Sequence, residues 1–113
     1  MHELALTQSI LNIALSEAAE HRVAKVLEIR IKIGVLSGVL PALVQEYFNI
    51  VSAGTVAEGS ILSIEKIPAA ISCLDCGKES TATSFLFSCP ACNSSHIRLL
   101  KGREFYVDSL EVE

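Results

Sequence analysis

Four cysteines, Cys73, Cys76, Cys89 and Cys92, stand in the pattern C-x2-C-x12-C-x2-C, and the chain has no others. Two close pairs suit one tetrahedral ion: each pair supplies two thiolates, and the intervening loop folds back to bring the pairs together. The residues around them favour tight knuckles. Gly77 follows the first pair and takes a positive φ without steric cost. In Cys89-Pro90-Ala91-Cys92-Asn93 the proline presets φ, and asparagine is the next most tolerant residue of the left-handed conformation. Redox-active C-x-x-C pairs usually open a helix, whereas both pairs here adjoin polar, strand-like segments. Rubredoxin-like iron uses similar knuckles, and spacing alone does not separate it from zinc. Four thiolates complete a tetrahedron and leave no position for a reacting water, so the expected role of a zinc here is structural.

The other residues read as one modest domain. The chain has 113 residues, half of them hydrophobic, which is enough for one core. The most apolar stretch, 29–44, is interrupted by Arg30, Lys32, Gly34, Ser37, Gly38 and Pro41, so no bilayer-spanning run exists. Met1-His2-Glu3 offers no basic region of an export signal, and the expected location is the cytoplasm. A net charge of −4 argues against nucleic-acid binding, although Arg98, Lys101 and Arg103 form a small basic cluster.

Apolar periodicity predicts a helix over 4–21, with Leu4, Leu11, Ala14, Leu15 and Ala18 on its buried face. Strict alternation then predicts a strand, with Leu27, Ile29, Ile31 and Ile33 inward and Glu28, Arg30 and Lys32 outward. Pro41 is placed to open a second helix running to about Ala53, with Leu43, Tyr47, Ile50 and Val51 as its stripe and Val44 and Phe48 widening it. A second strand covers 61–67, where Pro68 limits further pairing, and a third covers 104–112, with Tyr106, Leu110 and Val112 inward. The expected fold is α/β (α+β): a small three-stranded sheet with two helices and an inserted four-cysteine zinc-ribbon lobe. The expected domains are a discontinuous one, 1–70 with 103–113, and the zinc lobe, 71–102. Beyond the paired knuckles no repeat is visible.

Residues Met1, His2 and Glu3 hold a different kind of signal. A free α-amine, the amide nitrogen of residue 2 and the His2 Nδ1 close a five- and a six-membered chelate ring. That nitrogen set favours a planar d8 or d9 ion, Ni(II) or Cu(II), over zinc. By spacing alone this signal is weak, and His2 reads first as a frayed terminal residue. His21 suits a helix C-terminus, where a partly cationic imidazole meets the dipole. His96, four residues past Cys92, reads as a loop residue or an additional ligand.

Five segments together resemble the HypA/HybF family of hydrogenase nickel-incorporation proteins: MHELALTQSI, IKIGVLSGV (31–39), GTVAEGSILSIEKIPA (54–69), the paired cysteine window and KGREFYVDSLEVE (101–113). The resemblance spans essentially the whole chain, in order. It implies a nickel metallochaperone, not an enzyme, that passes Ni(II) to the [NiFe]-hydrogenase large-subunit precursor with a HypB-like GTPase as partner; some members also serve urease. It implies nickel ligands at Met1, His2 and Glu3, through the terminal amine, the imidazole and nearby backbone amides, and a structural Zn(II) on Cys73, Cys76, Cys89 and Cys92. Asn93 stands where members often have glycine. Some members carry a further histidine just after the second pair; His96 lies about one residue from that register and is kept as an additional nickel ligand. The chain is expected to act without nucleic acid or membrane, as a monomer or homodimer. The alternative from the residues is a zinc-ribbon adaptor with no second metal. An enzyme is disfavoured, since no nucleophile–base pair or open metal site is visible.

Overall fold

The computed structural model describes residues 3–82 and 88–113. Along the chain these form α1 (Glu3–His21), β1 (Val26–Gly34), α2 (Pro41–Val51), β2 (Ile61–Ile67), β3 (Ala69–Cys73), β4 (Glu79–Ala82), β5 (Ile97–Lys101) and β6 (Phe105–Val112). They make two three-stranded sheets, ordered β2-β1-β6 and β4-β3-β5. The chain divides into two compact units. One holds the segments up to Lys32, Val39–Glu65 and Tyr106–Glu113; the other holds Ile33–Gly38 and Lys66–Phe105. Two helices with small sheets match the fold class expected from the sequence. No helix among the described residues is long and apolar enough to cross a membrane.

In the first unit α1 packs on α2, and Phe48 and Val44 are fully buried beside Ile10, Leu11, Ala14 and Ala18. The buried stripe of α1 starts at Glu3 and Thr7, not at Leu4, which is 54% exposed; Leu15 is only half-buried. Thr7 escapes a hydrophobicity pattern because its hydroxyl is satisfied locally, donating to the Glu3 carbonyl at 2.6 Å, so it can be buried without an orphaned polar atom. In α2 the inward pair is Val44 and Phe48, Ile50 is 70% exposed, and the helix stops at Val51, two residues short of the expected end.

Strand β1 alternates as expected from Ile29 onward, but Leu27 is exposed and Val26 is buried. The start of the strand is held by two bonds to the 56–60 segment: Val26 N–H donates to Val56 O (2.9 Å), and Ser60 Oγ donates to Val26 O (2.5 Å). Strand β6 also departs from the expected face, for Tyr106 is 46% exposed. Asp108 is exposed as well, and Arg30 reaches Ser109 Oγ (3.3 Å) and Glu111 (3.2 Å). Leu110 is half-buried, and Val112 is exposed.

Pro68 has no N–H to donate, and pairing in the first sheet ends there. The chain resumes at once as β3, the centre of the second sheet. β3 pairs antiparallel with β4 and with β5, and Cys73 lies opposite Ile97.

Candidate metal centre

The β3–β5 register places the ends of two loops together. One knuckle leaves β3 at Cys73 and the other runs into β5 at Ile97, so both pairs of cysteines sit at the same end of the second sheet. The two knuckles repeat one backbone design. Cys73 N–H donates to Lys78 O and Cys89 N–H to Ser94 O, at 3.0 and 2.8 Å. Gly77 N–H closes back on Cys73 O and Asn93 N–H on Cys89 O, at 2.9 and 2.7 Å. Gly77 and Asn93 hold φ values of +77° and +62°, the left-handed residues anticipated after each pair.

The four sulfurs converge within 4.8 Å of one another. Cys73 and Cys92 Sγ are 3.5 Å apart, and Cys76 and Cys89 Sγ 3.7 Å. Both exceed the ~2.05 Å of a disulfide. They match the ~3.8 Å edge of a tetrahedron with metal–sulfur bonds of ~2.3 Å. Cys73 and Cys89 are buried, while Cys76 and Cys92 face solvent. Backbone N–H groups point at the buried sulfurs, Cys76 to Cys73 Sγ and Ala91 to Cys89 Sγ, both at 3.4 Å.

Those donors split the thiols electrostatically. The Cys76 N–H leads the effects that lower Cys73 to about 6. Cys92 is favoured as thiolate by the Ser94 N–H, yet its hydrogen bond to Cys73, burial and the neighbouring sulfurs push it up to about 12. Cys89 is lowered, led by the Cys92 N–H, and Cys76 is raised in spite of the Lys78 N–H. Side by side, the four sulfurs cannot all ionise unaided; a dication supplies the charge that makes them four thiolates. The donor set fits Zn(II), which accepts four thiolates in a closed shell and stabilises the folded loop pair.

Of the other expected site residues, His96 lies beside this centre with its Nδ1 3.3 Å from the Asp75 carboxylate. Met1 and His2 lie outside the described residues. Glu3 opens α1 with a buried carboxylate that accepts the Leu40 N–H at 3.2 Å. Burial opposes ionisation there, but its own and the Leu40 backbone N–H groups outweigh it and hold the carboxyl below the usual range. His21 ends α1 and pairs with Glu17 at 3.4 Å, an ordinary i,i+4 contact. With Glu20 these make a second, fully exposed group of potential ligands. Asp75 and Ser94 were not singled out by the sequence reading. A carboxylate inside the first C-x-x-C was the available signal, and only the meeting of the two loops gives it partners.

The model of one protein family, described as "HypA: Hydrogenase/urease nickel incorporation, metallochaperone, hypA", matches residues 1–112. The chain is 40% identical to the "Hydrogenase maturation factor HypA" of Aquifex aeolicus, over 100% of this chain and 98% of that protein. It is 38% identical to the protein of the same name from Caldanaerobacter subterraneus subsp. tengcongensis, over the full length of both. Among solved structures, the solution structure of the Ni metallochaperone HypA from Helicobacter pylori aligns with a TM-score of 0.69 at 23% identity. That alignment covers 99% of this chain and 97% of the other, a likeness of fold.

Proposed function

The chain belongs to the HypA family, the metallochaperones of hydrogenase/urease nickel incorporation, and from that premise we propose that it captures Ni(II) at Met1, His2 and Glu3. The α-amine, the amide nitrogens and the His2 imidazole form an all-nitrogen set suited to a planar d8 ion. Full-length alignment with relatives from the first residue supports this placement. The Glu3 carboxylate, engaged with the Leu40 N–H, anchors the start of α1 next to this set. His96 is kept in this reading as an additional nickel ligand.

Nickel is cargo in this reading, and the protein is not an enzyme. Protons compete for the amine and imidazole, so capture weakens as pH falls toward the histidine range of ~6.5. Amine, amide and imidazole ligands exchange one at a time with an incoming acceptor, which suits release. The division of labour follows the chain: 1–70 with 103–113 handles nickel, and 71–102 holds a resident zinc that shapes the surface. The proposed partners are a HypB-like GTPase and the [NiFe]-hydrogenase large-subunit precursor, with urease as a second client, in the cytoplasm. The adaptor reading without a second metal gives way to family membership.

The observation that carries the function is the family match over residues 1–112. Its ligand assignment is tested by Ni(II) titration of untagged, zinc-loaded protein. His2→Ala is expected to lose specific nickel binding while retaining one zinc and its fold, and unchanged nickel affinity in that variant would sink the assignment. One extra residue before Met1 is expected to weaken binding likewise, by displacing the amine.

A further inference from the structure

We propose that Asp75 is the positioning residue of the metal centre, holding the second knuckle against the first so that the four sulfurs meet at tetrahedral spacing. This rests on the reading of the four-cysteine cluster as a zinc site. Each knuckle closes by its own backbone bonds, which fix the two sulfurs within a pair but not one pair relative to the other. Beyond the β3–β5 pairing, which sets Cys73 opposite Ile97, and the contacts between sulfurs, further contacts among the described residues cross from knuckle to knuckle. Leu74 N–H donates to His96 O at 2.8 Å. Ser94 Oγ donates to Asp75 Oδ2. His96 Nδ1 lies 3.3 Å from the same carboxylate. Both side-chain contacts end on Asp75.

The two side-chain contacts on Asp75 close a ring with a third bond inside the second loop. His96 N–H donates to Ser94 Oγ at 3.0 Å, and that hydroxyl in turn donates to Asp75, so the 94–96 turn is fixed internally and then tied to the first knuckle. The antiparallel register, Cys73 opposite Ile97, is what brings residues 74–75 and 94–96 level with each other. The arrangement is one-sided, because the matching position of the second knuckle is Ala91, which has no polar side chain. Groups bonded directly to metal ligands typically change metal affinity by ~10–100-fold; the Asp75 carboxylate acts one step further out, through Ser94 and His96. The Asp75 side chain is 53% exposed and the His96 side chain 72% exposed, so water competes and the low end applies.

The test is zinc transfer from the full-length, zinc-loaded chain to a chromophoric chelator, with Co(II) substitution to watch the ligand set. Asp75→Ala is expected to release zinc about tenfold faster, the low end of that range, while its Co(II) form keeps the absorption of four thiolates. Ser94→Ala is expected to show part of the acceleration, and the double variant to be no faster than Asp75→Ala. Asp75→Asn, whose amide oxygen still accepts from Ser94, is expected to stay near the wild-type rate. Release at the wild-type rate from Asp75→Ala, or effects of the two substitutions that multiply, would overturn the role of Asp75. If Asp75→Ala fails to load, Ser94→Ala against Asp75→Asn decides in the same sense: equal rates for those two refute the proposal. Wild-type protein without one zinc would instead refute the metal centre itself.

Discussion

Gly34 sits in the segment IKIGVLSGV and Gly102 in KGREFYV, and the fold brings them face to face. A Cβ built on Gly34 would lie 2.1 Å from Gly102 O, 2.2 Å from Gly102 C and 2.6 Å from Arg103 N. Ordinary carbon contacts begin at about 3.5 Å, so Gly34→Ala requires the two backbones to part by more than about 1 Å. No rotamer change relieves it, since every clashing atom is backbone. The separation also stretches Gly34 N–H to Glu104 O (2.8 Å) and Leu36 N–H to Gly102 O (2.6 Å). Overpacking costs about 1–3 kcal/mol, and each weakened bond adds about 0.5–1.5 kcal/mol. The reduced freedom of the unfolded chain returns about 0.4–1 kcal/mol. The net expectation is a loss of about 3 kcal/mol, a large share of the ~5–15 kcal/mol that holds such a chain folded. Urea titration of zinc-loaded wild type and variant measures it, with zinc content read on the same samples to separate lost fold from lost metal. A variant within about 1 kcal/mol of wild type would refute the claim that close backbone approach dictates this glycine.

Two further expectations concern the helical unit. The Glu3 carboxyl is held below its ordinary 4.5 in the folded state, so the unfolded chain takes up the proton first. Its contribution is thus present above pH 4.5 and is lost as pH falls through the folded value. Glu3→Gln is expected to lower the urea midpoint at pH 7 and to converge with wild type at acid pH, whereas a constant difference across the acid range would contradict this. Ser52 follows α2 with its Oγ buried and without a hydrogen-bond partner among the described residues. Ser52→Ala is expected to be neutral or stabilising by up to about 1 kcal/mol in the same titration, since it removes an unsatisfied polar atom while the Ser52 N–H bond to Phe48 O remains. A marked destabilisation would show that the hydroxyl has a partner.

Local chemistry made the metal centre legible in advance. Thiolates must lie within a few ångströms of a shared ion, so C-x2-C pairs declare themselves by spacing, and Gly77 and Asn93 mark the left-handed turns that each pair needs. The helices, β1 and β2 were equally readable, because an amphipathic element carries its period in its own residues. Less could be read wherever burial depends on what lies opposite. Leu4 and Ile50 have the hydrophobicity of core residues but face outward, while Thr7 goes inward because the Glu3 carbonyl accepts its hydrogen bond. Tyr106 and Val112 of β6, expected inward, are exposed. Gly34 reads as a strand end in one dimension and as a forced close approach in three. Asp75 gains partners only because antiparallel pairing sets residue 73 beside residue 97. Residue type and short spacing thus dictated the helices, the strands of the first sheet, the cysteine cluster and the family, but not β3, β4 or β5. Which faces are covered, and which side chains lock the two knuckles together, waited on contacts between distant residues, whose energies no local pattern encodes.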